Sequence, residues 1–92
     1  MANPMHRTAY ADFVRMLVAA RKASGLTQID VAQKLGKPQS YVSKYERSER
    51  RLDLIEFLDL AGVIGIDAAA FVSELLQTRK TAARSWRRLM RS

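Results

Sequence analysis

The stretch Thr27-Gln28-Ile29-Asp30-Val31-Ala32-Gln33-Lys34-Leu35-Gly36, followed directly by Lys37-Pro38-Gln39-Ser40-Tyr41-Val42-Ser43-Lys44-Tyr45-Glu46-Arg47, decides the fold. Thr27 and Asp30 have the spacing of a capping box, with Asp where Glu or Gln is commoner. Val31, Ala32 and Leu35 then fall on one apolar face, which predicts a short helix over about Gln28 to Leu35. Gly36 stops it, and Pro38 is tolerated in the first turn of the next helix. That second helix covers about Gln39 to Arg47, with Val42 and Tyr45 facing in. Ala32 is small enough for the two helices to approach closely. The outer face of the second helix presents Gln39, Ser40, Ser43, Lys44 and Arg47.

Working outward, Tyr10, Phe13, Val14, Leu17 and Val18 share one face at helical spacing, so a longer helix precedes the pair. Thr8 is its expected N-cap and Gly25 its C-terminal stop. Residues 1–7 are expected to be flexible, because Asn3-Pro4 breaks structure. On the other side Asp53 can cap a fourth helix carrying Leu54, Phe57, Leu58 and Ala61, weakened near its end by Gly62 and Gly65. Asp67 can cap a fifth with Phe71, Val72, Leu75 and Leu76. No β-alternating run or hairpin signal occurs. The chain reads as all-α: a domain over 8–78 and a basic extension over 79–92.

Ninety-two residues can bury one modest core. Cys is absent, which excludes disulfides, thiolate metal sites and cysteine nucleophiles. The one His, His6, lies near the N-terminus and is read as exposed. Asp53 and Glu56 sit three apart, but a helix cap and a solvated face explain them better than paired catalytic carboxylates. No nucleophile–base pair or metal-ligand cluster can be assembled, so no enzyme, metal or cofactor is expected. No signal peptide is visible, and Leu60 to Ile66 is too short to cross a bilayer, so a cytoplasmic, non-membrane protein is expected.

The net charge is +7, and its placement says more than its size. Residues 34–51 carry six bases against two acids, residues 52–78 five acids and no base, and residues 79–92 six bases and no acid. Two basic regions separated by an acidic one point to a polyanion partner for at least one of them.

Two short helices joined by a tight glycine turn, the second followed by a basic loop, make a helix-turn-helix. From about Phe13 to Leu76 the sequence resembles the phage-repressor-like, Cro and XRE-type helix-turn-helix regulators. The resemblance rests on Arg21, Gly25-Leu26-Thr27-Gln28, Val31-Ala32, Leu35-Gly36, Gln39-Ser40, Val42-Ser43, Glu46 and Arg50-Arg51. It implies a five-helix, lambda-repressor-like domain that binds double-stranded DNA with its third helix in the major groove, as a dimer on a palindromic operator. By position, Gln39, Ser40, Ser43 and Lys44 match base-reading residues, Gln39 suiting adenine and Lys44 guanine. Gln28 matches a phosphate contact at the start of the second helix, where the backbone N–H also favours an anion. Arg50 and Arg51 match the loop that follows the DNA backbone, and Lys37, Tyr41 and Arg47 join them as candidate phosphate contacts. Arg21 and Glu46 match a buried structural ion pair.

Three positions depart from the family pattern. Ser48 stands where Gly is usual and φ > 0 is needed. Leu52 stands where Pro is common, and Ile29 is apolar where a charge is usual.

The extension stays open. Ala68, Val72, Leu75, Arg79, Ala82, Trp86 and Leu89 form a heptad-like stripe broken by Arg79, which makes Val72, Leu75, Trp86 and Leu89 candidate dimer contacts. Trp86 beside Arg84, Arg87 and Arg88 suits, as the second choice, an arm on DNA or on an acidic partner, and a disordered tail is the third. Three functions follow. The first is a sequence-specific transcriptional regulator, by default a repressor. The second is an antitoxin or restriction–modification controller whose C-terminal segment binds a protein partner. The third is a protein-interaction module that has lost DNA reading.

Overall fold

The computed structural model describes residues 4–78. Four helices, α1 (Pro4–Ala23), α2 (Gln28–Leu35), α3 (Gln39–Glu46) and α4 (Leu54–Ile64), are followed by a fifth, α5, over residues 68–78. The described residues contain no strand. The all-α, lambda-repressor-like reading is therefore correct. The first helix starts at Pro4, not at Thr8. A proline has its φ preset for the first turn and lacks an N–H that would have no partner there, so Pro4 begins this helix rather than breaking it.

The short helices are set by their ends. At α2 the Asp30 N–H donates to Thr27 Oγ1 at 3.0 Å, and the Thr27 N–H donates to Asp30 Oδ2 at 2.9 Å. The same reciprocal cap joins Asp53 and Glu56 at the start of α4, at 2.8 and 3.0 Å. Asp67 Oδ1 accepts from the Ala70 N–H at 3.0 Å at the start of α5. Gly36, at φ 67°, closes α2 in the left-handed conformation, and the Lys37 N–H returns to the Ala32 carbonyl at 3.0 Å. At the end of α3 the corresponding residue is Ser48, with φ 60°. The Ser48 N–H reaches the Tyr45 carbonyl at 3.0 Å, and the Glu49 N–H reaches the Lys44 carbonyl at 2.8 Å. The closure is the one a glycine would make, carried by a residue with a Cβ, at a cost of about 1 kcal/mol.

Leu17, Val31, Val42, Tyr45 and Leu60 are completely buried, and Ala32, Phe57, Ile64 and Phe71 join them in one core. Each large apolar side chain so buried contributes about 1.5–3 kcal/mol relative to exposure. Phe13, Phe57 and Phe71 form an aromatic triad with centroids 5.1 to 5.9 Å apart, which fixes α1, α4 and α5 together. Ser24 Oγ donates to the Ile64 carbonyl at 3.1 Å and ties the end of α1 to the end of α4. The core thus holds α2 and α3 from behind.

The structure sorts the apolar residues of the last two helices into inner and outer faces. On α4, Leu54 and Leu58 are 67% and 45% exposed, with Ile55 beside them. The inward face is Phe57, Leu60, Ala61 and Ile64. On α5, Phe71 is buried, Leu75 is half-buried, and Val72 and Leu76 are exposed.

Candidate nucleic-acid interface

A buried ion pair lies beneath the α2–α3 unit. Arg21 Nε donates to Glu46 Oε2 at 2.7 Å, and Nη2 donates to Oε1 at 3.0 Å. Both side chains are at least nine-tenths buried. Arg21 Nη1 also donates to the Leu26 carbonyl at 2.9 Å, so one guanidinium ties α1 to the α1–α2 turn and to the end of α3. Hydrogen bonding to Glu46 raises the Arg21 pKa above its ordinary value, so the guanidinium stays charged. The fork geometry satisfies the charges that burial would otherwise penalise.

The network continues outward. Gln28 Nε2 donates to Glu46 Oε1 at 2.9 Å, and Gln39 Nε2 donates to Gln28 Oε1 at 3.1 Å. A chain of side chains therefore runs from the buried Arg21 to the exposed Gln39 at the first position of α3. One amide hydrogen of Gln39 is used, which leaves its other N–H and its carbonyl oxygen. Those two groups are the pair a bidentate contact with adenine requires. Gln28 keeps its second amide hydrogen at the start of α2.

The remaining residues of the α3 face differ in how far they are engaged. Ser40 and Lys44 are exposed and Ser43 is half-buried. None of the three side chains has a hydrogen-bond or ion-pair partner among the described residues. Arg47 Nε pairs with Glu49 Oε2 at 2.6 Å, with both side chains more than half exposed, so solvent and phosphate compete freely for it. The Lys37 ammonium lies 5.6 Å from the Tyr41 ring centroid.

The α3–α4 loop is held more firmly than the sequence suggests. Arg50 Nη2 donates to Glu56 Oε2 at 2.6 Å, its guanidinium carbon sits 4.6 Å from the Tyr41 ring centroid, and Nη1 reaches the Arg51 carbonyl at 3.2 Å. Tyr41 Oη also donates to Glu56 Oε2, at 3.2 Å. Arg50 holds the Glu56 carboxyl far below the usual carboxylate range, at about 2, with help from the Asp53 backbone N–H. Burial and the nearby Glu56 charge raise the Tyr41 phenol. Arg51 is exposed, with its guanidinium carbon 4.3 Å from the Tyr10 ring centroid. Tyr10 Oη in turn accepts from the Leu52 N–H at 3.1 Å and reaches the Arg50 carbonyl at 3.5 Å. Leu52 stands where proline is common, and its N–H is in use, which a proline could not provide.

Gln28, Lys37, Gln39, Ser40, Tyr41, Ser43, Lys44, Arg47, Arg50 and Arg51 thus lie on α2, α3 and the loop after α3. Tyr10 and Glu56 were missed from the sequence. Tyr10 read as an α1 core residue and Glu56 as a solvated cap, and no local pattern marks their partners. Val72 and Leu75 lie on α5, while Trp86 and Leu89 fall outside the described residues.

Comparison with known proteins agrees with this geometry. The helix-turn-helix family profile matches residues 17–71. A solved structure described as an XRE-family like protein from Pseudomonas syringae pv. tomato superposes with a TM-score of 0.77 at 46% identity, covering 79% of this chain and 89% of that one. No curated protein sequence matches. No helix among the described residues is long and apolar enough to cross a membrane. A repressor-like five-helix core with a pre-set α2–α3 unit, matched by both comparisons, places the chain in the XRE-type helix-turn-helix family of DNA-binding transcription regulators.

Proposed function

We propose that the chain is a sequence-specific repressor that binds an inverted-repeat operator as a homodimer in the cytoplasm. The observation that carries the reading is the run of hydrogen bonds from Glu46 through Gln28 to Gln39. It pre-orients an exposed amide at the first position of α3 before any DNA arrives. Pre-orientation lowers the entropy lost on contact. In this reading Gln39, Ser40, Ser43 and Lys44 read base edges in the major groove. Gln28 and the start of α2 hold a phosphate, and Lys37, Arg47 and Arg51 follow the backbone on either side.

The dimer contact is proposed on α5, where Val72 is 48% and Leu76 is 49% exposed beside the half-buried Leu75. A two-fold dimer would set two α3 helices about one helical turn, roughly 34 Å, apart or a multiple of it. Repression then follows from operator occupancy excluding polymerase. A second reading, as an antitoxin or restriction–modification controller, assigns the same apolar α5 face and residues 79–92 to a protein partner.

The test is selection of binding sites from a random duplex pool at near-physiological salt. Enrichment of an inverted repeat with one-turn half-site spacing is expected. A bound pool without enriched sequence, released as salt rises, would favour a protein as the specific partner instead.

A further inference from the structure

Several cations border the α3 face, and their charges are not equally available. Lys37 and Lys44 face no carboxylate among the described residues, and Arg51 rests on a ring alone. Arg47 meets Glu49, but both are more than half exposed, so that pair opens at little cost. Arg50 is different. Its guanidinium touches the Glu56 carboxylate, the Tyr41 ring and the Arg51 carbonyl, with 39% of the side chain left exposed. The Glu56 side chain is three-quarters buried.

Glu56 is itself anchored on three sides. Its Oε1 accepts the Asp53 N–H that completes the α4 cap, and its Oε2 accepts from both Tyr41 and Arg50. Swinging the Glu56 side chain away would break its half of the α4 capping box and the tyrosine bond together. Pulling Arg50 onto a phosphate would break its 2.6 Å bond and leave the carboxylate facing the same polyanion. The charge of Arg50 is thus cancelled in place, inside the loop that the DNA backbone would follow.

We infer that Glu56 limits the affinity of this protein for DNA by neutralising Arg50, so that Arg50 makes no phosphate contact in the bound state. Arg50 then braces the loop, and the sequence-independent part of binding rests on one cation fewer than the composition offers. The inference builds on the DNA-binding reading above and corrects one residue within it. Its consequence is a lower grip on any duplex, with the reading of bases by α3 unchanged. Phosphate contacts add affinity to every sequence alike, whereas base contacts carry the discrimination.

The experiment measures the affinity of the full chain for a short random-sequence duplex from about 50 to about 200 mM salt. Glu56→Gln is the informative variant, because its Oε1 still accepts the Asp53 N–H of the capping box while its Nε2, in the place of Oε2, can donate to Tyr41 Oη. It should steepen the log–log salt slope by about 0.9 and tighten binding about fivefold to tenfold at 0.1 M salt. The double variant Arg50→Ala/Glu56→Gln should return to the wild-type slope, since a neutral pair has been replaced by two neutral side chains. A wild-type slope in Glu56→Gln overturns the inference, as does a double variant whose slope is flatter than wild type by about 0.9. Should Glu56→Gln prove poorly folded, the wild-type protein decides. The Arg50 guanidinium proton signals, slowed by the Glu56 bond, should keep their positions in NMR spectra when duplex is added, and their displacement contradicts the inference. Absence of wild-type binding to any duplex would instead overturn the DNA-binding reading itself.

Discussion

Gln39 Nε2 donates to Gln28 Oε1 across 3.1 Å, joining the first residue of α3 to the first residue of α2. The second amide of this pair is bonded to Glu46, whose charge is held by Arg21. The exposed end of the network is therefore set by its buried end. A change at Gln28 should be felt twice, as a lost phosphate contact and as a loosened Gln39.

Gln28→Ala is accordingly expected to weaken operator binding more than it weakens binding to random duplex. Its combination with Gln39→Ala should be non-additive, with a coupling energy of about 0.5–3 kcal/mol. Titrations of both single variants and the double variant on operator DNA measure this, and strict additivity would mean that the two amides act independently.

Glu46→Ala should cost stability before it costs binding. It leaves the Arg21 guanidinium nine-tenths buried without its carboxylate, a loss of about 3–5 kcal/mol. For a domain this small, that is a large share of the total stability. Thermal melting by circular dichroism reads the effect, and an unchanged melting temperature would remove the ion pair from the account. Arg21→Met with Glu46→Leu should recover much of the loss, since no charge is then stranded.

The turn between α3 and α4 shows how far a sequence can be read. The capping boxes at Thr27–Asp30 and Asp53–Glu56 and the stop at Gly36 are legible because each is a local pattern of three or four residues. The requirement for positive φ at Ser48 was visible only through the family resemblance, and the structure gives it φ 60°. The partners of Glu56 were not legible, because Tyr41 lies fifteen residues away and Arg50 arrives only through the fold of the loop. The two-sided apolar pattern of α4 likewise does not say which side faces in. Leu54 and Leu58 are outside because Phe57 and Leu60 are taken by the α1–α5 core.

Two substitutions in that loop should act in opposite senses although each moves towards the family pattern. Ser48→Gly relieves a left-handed residue of its Cβ and should stabilise by about 1 kcal/mol. Leu52→Pro removes the N–H that donates to Tyr10 Oη and should destabilise by about 1 kcal/mol or more. Urea unfolding midpoints of the two variants decide it, and a stabilising proline would show that the Tyr10 bond contributes nothing.

Acid should loosen the same region. The folded pKa of Glu56 is depressed from 4.5 to about 2 by Arg50 and the Asp53 N–H, so its contribution is present above about 4.5 and lost as pH falls through about 2. Asp30, lowered by its bonds to Thr27, acts in the same direction at α2. Stability should therefore decline as pH falls from about 4.5 towards about 2, and Glu56→Gln should decline less. Chemical unfolding across that range measures both chains, and parallel curves would contradict the assignment to Glu56.

The most direct measurement compares wild type and Gln39→Ala on two duplexes at the same salt concentration, the best selected operator and a random sequence. The account assigns Gln39 to a base rather than to a phosphate, and so predicts a loss of about 1–3 kcal/mol on the operator and almost none on the random duplex. Equal losses on both, or none on either, would mean that the amide held by Gln28 does not read sequence.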